Sequence, residues 1–175
     1  MRAIKGRDTL SEIVVRKWLF AHGWRFRCQY KKVTGHPDIA LPKLRALIEV
    51  RGCFWHRHGW SVADGEWRQD LECPDVTMPK TNVNFWNAKF LANVARDRRH
   101  EAEWAAAGWN VIVIWECELK TAAARDARSA CWSRRWMHAS RMYRKDSPHH
   151  ARHDDHQRIH LYVVHDNGKV IFNVL

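Results

Sequence analysis

"PDIALPKLRALIEVRGCFWHRH" spans residues 37–58, and its two halves follow different rules. In the first half, "PDIAL" and "RALIEVRG" read as two strands joined by a tight turn near Pro42, a hairpin with one buried face. The second half, within "EVRGCFWHRHGW" (residues 49–60), crowds an acid, a base, a thiol, large aromatics and two histidines together. No single physical role asks for all of these residue types, so the strand hands over here to a segment with a chemical task.

The flanking elements follow from local signals. "RDTLSEIVVRKWLFAHGW" predicts a helix opened by a Thr9–Glu12 capping box, with an apolar face at Leu10, Ile13, Val14, Trp18 and Leu19, and closed at Gly23. A short strand is expected around Trp24–Tyr30, and residues 59–80 read as irregular. Thr81 or Asn82 caps a long helix running to about Ala107 and closed by Gly108. "WNVIVIWE" predicts a strand buried on both faces. Residues 119–143 look helical and strongly basic, "HHARHDDH" is a histidine-rich linker, and "RIHLYVVHDNGKVIFNVL" is a hairpin turning at Asp166-Asn167-Gly168. There are no internal repeats, and the order of elements predicts an α/β domain with one central mixed sheet flanked by helices. The expected organisation is one main domain over residues 1–145, a linker over 146–157, and a hairpin extension over 158–175 packed on the same domain.

The 175 residues carry a formal charge of +11 with 46% hydrophobic residues, which describes a folded basic protein and points to a polyanion partner such as DNA. No apolar run approaches a membrane span and the polar start is no secretory signal, so a cytoplasmic protein is expected. Five cysteines in such a chain argue for metal ligation or buried thiols rather than a disulfide framework. Among the eleven tryptophans, Trp55, Trp60, Trp67 and Trp86 lie in polar surroundings where they can stack on bases.

Asp38 ends the "HPD" turn and Glu49 follows eleven residues later on the adjacent strand, which can bring both carboxylates to one Mg²⁺ with the Val50 carbonyl as a further oxygen. Arg51 then presents a fixed positive charge where a phosphate transition state develops negative charge. Asp, a spacer and Glu-x-Lys is the outline of the PD-(D/E)xK nucleases, here with Arg in the last position. Cys53, His58, Cys73 and Cys117 form a candidate Cys₃His zinc site, although buried free thiols give the same count. His56 and His58 point to one face of an extended chain, and spacing alone does not say which binds metal. Asp97 can orient a catalytic histidine or make an ordinary helix ion pair.

"GCFWHRH", "PKTNVNFWNAKFLANVARDRR" and "GWNVIVIWECEL", with "MRAIKGRDTLSE" and "HPDIAL", resemble the very short patch repair (Vsr) endonucleases over roughly residues 1–120. The resemblance implies a PD-(D/E)xK, restriction-endonuclease-like core and Mg²⁺-dependent nicking on the 5′ side of the thymine in T·G mismatches left by 5-methylcytosine deamination. It implies that Asp38 holds Mg²⁺ together with the Val50 carbonyl, that His56 is the catalytic histidine supported by Asp97, and that Glu12 is an acid facing the active site. Cys53, His58, Cys73 and Cys117 fall on structural Zn²⁺ ligands. Phe54, Trp55 and Trp86 fall on aromatics inserted beside the mismatch, and Asn93 on a polar DNA contact. Double-stranded DNA, together with other mismatch-repair proteins, is the partner class this implies.

The sequence departs from the family pattern in places. Arg51 stands where better-known members carry a second histidine and Glu49 where they carry an apolar residue, so Glu49 is expected to join Asp38 in the metal shell. The stretch from Gly59 to Glu72 is longer than expected ahead of the third zinc ligand. Family members also carry a further N-terminal segment ahead of the point where this sequence starts. Two other readings stand beside the repair nuclease: a zinc-stapled DNA-binding module that has lost catalysis, and a Vsr-like nuclease with another target, as in a mobile element or a defence system.

Overall fold

The computed structural model describes residues 6–121, Arg125, and the backbone of residues 161–166 and 169–174. Most of the expected basic helix (119–143) and the whole histidine-rich linker fall outside the described residues. Strands β1 (Arg27–Cys28), β2 (Ile39–Leu41), β3 (Ala46–Arg51) and β6 (Asn110–Trp115) form one sheet in the order β1-β2-β3-β6. The first three are antiparallel neighbours and β6 runs parallel to β3, so the sheet is mixed as expected.

Helix α1 (Leu10–Ala21) covers one face of this sheet. Its capping box forms as read, with Thr9 accepting from the Glu12 amide and Glu12 reaching back to the Thr9 amide. At the other end Gly23, at φ +79°, lets Trp24 N–H donate to the Leu19 carbonyl and Gly23 N–H to that of Phe20. The buried face differs by one step from expectation: Leu10 is 83% exposed, and Glu12, Val15 and Leu19 point inward. Val15 and Leu19 pack on Ile39, Leu41, Ile48, Ile112 and Ile114.

Helix α3 (Val83–Ala106) covers the other face, where Trp104 packs with Val33, Ala40 and Leu47. Asn82 occupies the N-cap position, but at φ +52° its side chain makes no capping bond, and only its carbonyl accepts from Trp86. At the far end Gly108 and Trp109 donate to the carbonyls of Ala105 and Trp104. Arg45, the left-handed residue closing the turn after Pro42, binds the carbonyls of Ala107 and Gly108 and stacks on Trp109. Its own carbonyl accepts from Asn110 at 2.7 Å, which sets the β3–β6 register.

Three further expectations need revision. The strand around Trp24–Tyr30 shrinks to two paired residues because Gln29 turns to φ +46°. Strand β6 alternates rather than being buried throughout: Ile112 and Ile114 are buried, while Val111 and Val113 are half-buried at the sheet edge. Residues 59–80 are not wholly irregular, since β4 (Trp60–Ala63) and β5 (Glu66–Gln69) make a hairpin through Asp64 and Gly65, both at positive φ. The C-terminal hairpin forms as read, with β7 (Leu161–Asp166) and β8 (Lys169–Val174) closing at the Asp166–Lys169 pair. No helix among the described residues is long and apolar enough to cross a membrane.

Candidate active site and metal centre

The antiparallel register of β2 and β3 pairs Ile39 with Ile48, so Asp38 and Glu49 are the next residues facing each other. Asp38 Oδ2 accepts from the Val50 amide at 2.9 Å, its Oδ1 from the Gln29 side chain at 3.3 Å, and Asp38 N–H donates to Glu49 Oε1 at 3.4 Å. Burial raises both carboxyls: Asp38 lies above its ordinary value, with the Glu12 charge adding to the effect, and Glu49, which also faces the Asp38 charge, is pushed up to about 8. Two half-buried carboxylates that resist joint ionisation form a hard-oxygen pair that a divalent cation such as Mg²⁺ suits.

Glu12 lies close enough for its charge to raise Asp38. Its oxygens are already engaged: they accept from the Asp8 and Thr9 amides, the Thr9 hydroxyl and, at 2.5 Å, Arg16 Nη2. Arg16 also binds Asp8, making the start of α1 an ion-paired corner beside Asp38. Sequence reading passed over Arg16, although its i+4 offset from Glu12 was the available signal.

After β3 the chain turns into the one-turn helix α2 (Cys53–His56), which splits its four residues between two tasks. His56 Nδ1 sits 2.5 Å from Asp97 Oδ2, and Arg96 holds the other Asp97 oxygen at 3.0 Å. Burial works to raise the Asp97 carboxyl, but the His56 hydrogen bond and charge, with Arg51 and Arg96 nearby, bring it below its ordinary value. Asp97 fixes the imidazole so that Nε2 is the nitrogen left for chemistry.

Arg51 is 7% exposed, and its Nη1 pairs with Glu101 Oε1 at 2.6 Å. Its charge lowers both Glu49 and Asp97, which makes it the interior counter-ion of the carboxylates. Glu101, one turn beyond Asp97 on α3, was not singled out in the sequence, although the i+4 spacing carried the hint. Asn93 is also buried, and its Nδ2 donates to the Trp55 carbonyl at 3.0 Å, so its amide is spent on tying α2 to α3.

Directly ahead of His56 stand the aromatics. The Phe54 ring meets Trp55, Trp86 and Phe90 edge-on at 5.2, 5.5 and 5.2 Å, and Trp55 lies 5.7 Å from Trp86. Trp60 and Trp67, expected as possible base-stacking surfaces, instead close on the buried Arg57.

Cys53, His58, Cys73 and Cys117 bring one ligand atom each to within 4.8 Å of one another. His58 turns Nδ1 toward the sulfurs of Cys117 and Cys53, at 3.4 and 3.7 Å, and stacks on Trp115 with ring centroids 4.2 Å apart. Burial, with the neighbouring sulfurs, pushes the Cys53 thiol up and Cys117 to about 11. Two buried thiols, the half-buried Cys117 and an imidazole converging on one point fit a soft tetrahedral cation such as Zn²⁺, which would keep the sulfurs as thiolates.

The "DNA mismatch endonuclease Vsr" family model matches residues 1–62. The chain is 39% identical over 128 residues to the type II nicking enzyme V.XorIIP of Xanthomonas oryzae pv. oryzae, covering 73% of this chain and 85% of that protein. It is 38% identical over 123 residues to the type II nicking enzyme V.NmeAIP of Neisseria meningitidis, covering 70% and 79%. The DNA mismatch endonuclease Vsr of Escherichia coli is 36% identical over 120 residues, covering 69% of each chain. The mixed sheet, the carboxylates at the end of β2 and β3, and these likenesses agree: the chain belongs to the Vsr family and is a DNA endonuclease.

Proposed function

We propose that the protein nicks double-stranded DNA at T·G mismatches, hydrolysing the phosphodiester 5′ of the thymine, with Mg²⁺ at the active site and Zn²⁺ in a structural site. The observation that carries this reading is that His56, paired with Asp97 of α3, stands on the same helical turn as Phe54 and Trp55. Catalyst and wedge are thereby held at one fixed spacing.

Asp38, Glu49 and the Val50 carbonyl are the oxygens that would hold Mg²⁺, which when bound neutralises charge on the scissile phosphate. His56 Nε2 accepts the proton of the attacking water, while Asp97 supports the imidazolium through Nδ1. Arg51 acts from beneath, stabilising charge through space rather than by touching substrate. Glu12 completes the acidic corner, and Asn93 holds α2 where both tasks need it. Phe54, Trp55 and Trp86 enter the duplex at the step that resists least, and a mismatched step is cheapest to unstack. Cys53, His58, Cys73 and Cys117 hold Zn²⁺ and pin the segment that carries the wedge.

Nicking of a T·G duplex and its matched T·A counterpart, with Mg²⁺ and with EDTA, tests this. Mg²⁺-dependent nicking of the T·G duplex alone is expected, and equal cutting of both sinks the repair role. The second reading, a related nicking enzyme with its own target, is favoured by the β4–β5 hairpin beside the wedge. Varying the bases flanking the mismatch separates it from the first.

A further inference from the structure

Arg57 is 1% exposed, and among the described residues no carboxylate pairs with it. Its guanidinium carbon lies 4.6 Å from the Phe90 ring centroid, 4.9 Å from that of Trp60 and 5.5 Å from that of Trp67. Nη1 donates to the Thr77 carbonyl at 3.1 Å, Nη2 reaches the Met78 sulfur at 2.9 Å, and Nε has no partner. The backbone at Arg57 is left-handed, φ 55°, and closes α2 directly after His56. A buried cation without a counter-ion costs stability, and aromatic faces and one carbonyl offset only part of that cost. An apolar side chain would serve the core better.

What the guanidinium does uniquely is join four segments at one point: α2, the β4–β5 hairpin, the Thr77–Met78 strand of chain, and α3. Two of these carry the wedge, since Phe54 and Trp55 sit on α2 and Trp86 packs on Phe90 with centroids 5.6 Å apart. We propose that Arg57 is a positioning residue, a buried cation that fixes the separation of Phe54–Trp55 from Trp86 and so sets how tightly the protein grips the duplex step it opens. The inference rests on the wedge reading above.

The test compares Arg57→Met and Arg57→Lys with the parent in melting temperature, in affinity for the duplex the parent nicks best (measured without Mg²⁺), and in nicking rate at saturating enzyme. Met fills the cage without charge, so Arg57→Met is expected to melt at or above the parent temperature. Its affinity falls by about tenfold or more, the scale of a displaced stacking contact, while the saturating rate changes less. Arg57→Lys keeps the charge but not the fork to Thr77 and Met78, and falls between. Parent affinity in Arg57→Met overturns the proposal, as does a fall in melting temperature that accompanies the affinity loss in both variants. Equal nicking of matched and T·G duplexes by the parent sinks the mismatch reading alone, because the variants are still compared on one duplex.

Discussion

His56 and Asp97 are separated by 41 residues and meet at 2.5 Å, joining the turn that follows β3 to the middle of α3. This contact fixes the imidazole tautomer, and Arg96 on the second Asp97 oxygen keeps the carboxylate from rotating away. Asp97→Asn keeps the shape but reverses the donor pattern that Nδ1 meets. Nicking is expected to fall about 10²–10⁴-fold, with duplex affinity nearly unchanged.

The same pair has an acid-stability signature. Asp97 has a folded value below its unfolded one, so its contribution is fully present above the ordinary carboxylate range and is lost as pH falls through the folded value. Melting temperature recorded on the acid side is expected to fall less steeply for Asp97→Asn than for the parent. Parallel curves would remove Asp97 from the acid limb.

Glu49 works in the opposite direction. Raised from 4.5 to about 8, it keeps in the metal-free fold a proton that the unfolded chain releases. Metal-free stability therefore declines as pH rises through that window, by an amount on the order of a few kcal/mol. Mg²⁺ is expected to flatten the decline by taking the proton's place, and Glu49→Gln to reduce it to the part that Asp38 contributes. Denaturant midpoints at about pH 6 and about pH 8.5, with and without Mg²⁺, give the comparison. If added Mg²⁺ leaves the parent's pH slope intact, Glu49 is outside the metal shell.

Local chemistry is what the sequence made readable. The Thr9–Glu12 box, the glycines closing α1 and α3, and the apolar runs of β2 and β3 all act within a few residues, so their physics shows as pattern. The Cys53, His58, Cys73 and Cys117 quartet emerged because thiols are scarce in this chain and chemically distinct, even though their spacing is irregular. Arg57 was illegible for the opposite reason: its partners Thr77 and Phe90 lie 20 or more positions away, and an arginine between two histidines reads as ordinary basic surface. Arg51 was read as a charge beside the phosphate and Asn93 as a DNA contact; that Arg51 also pairs with Glu101 and Asn93 with the Trp55 carbonyl follows from how α3 lies across the sheet, which no local spacing encodes. The Asp64-Gly65 turn was a standard hairpin signal, masked by weak alternation on either side.

The metal centre predicts a global effect. Cys73 lies beyond the hairpin, so losing its sulfur frees the segment that leads to α3 as well as the wedge loop. Cys73→Ser is expected to contain less than one Zn²⁺ per chain and to lose several kcal/mol, a melting temperature drop of roughly 10 °C or more. Strong chelation of the parent should reproduce that drop, and restoring Mg²⁺ alone should not reverse it. A chelated protein that melts like the parent would mean that the thiols are merely buried.

Two glycines of the hairpin separate the cost of backbone strain from the cost of a clash. Gly59 and Gly65 both have positive φ, at +74° and +80°. A Cβ at Gly65 meets nothing within 4 Å, so Gly65→Ala carries the left-handed penalty alone, about 1–2 kcal/mol. A Cβ at Gly59 would sit 2.3 Å from the Leu71 carbonyl oxygen. That contact is backbone, and it lies where the Gly59 carbonyl accepts from both Asp70 and Leu71 to close the neck of the hairpin. The neck stands between His58 and Cys73, so relieving the clash pulls two of the proposed metal ligands apart. Gly59→Ala is therefore expected to exceed Gly65→Ala by about 2 kcal/mol or more and to lower Zn²⁺ content, which Gly65→Ala leaves intact. Equal melting temperatures and equal Zn²⁺ content in the two variants would show that the neck does not brace the metal site.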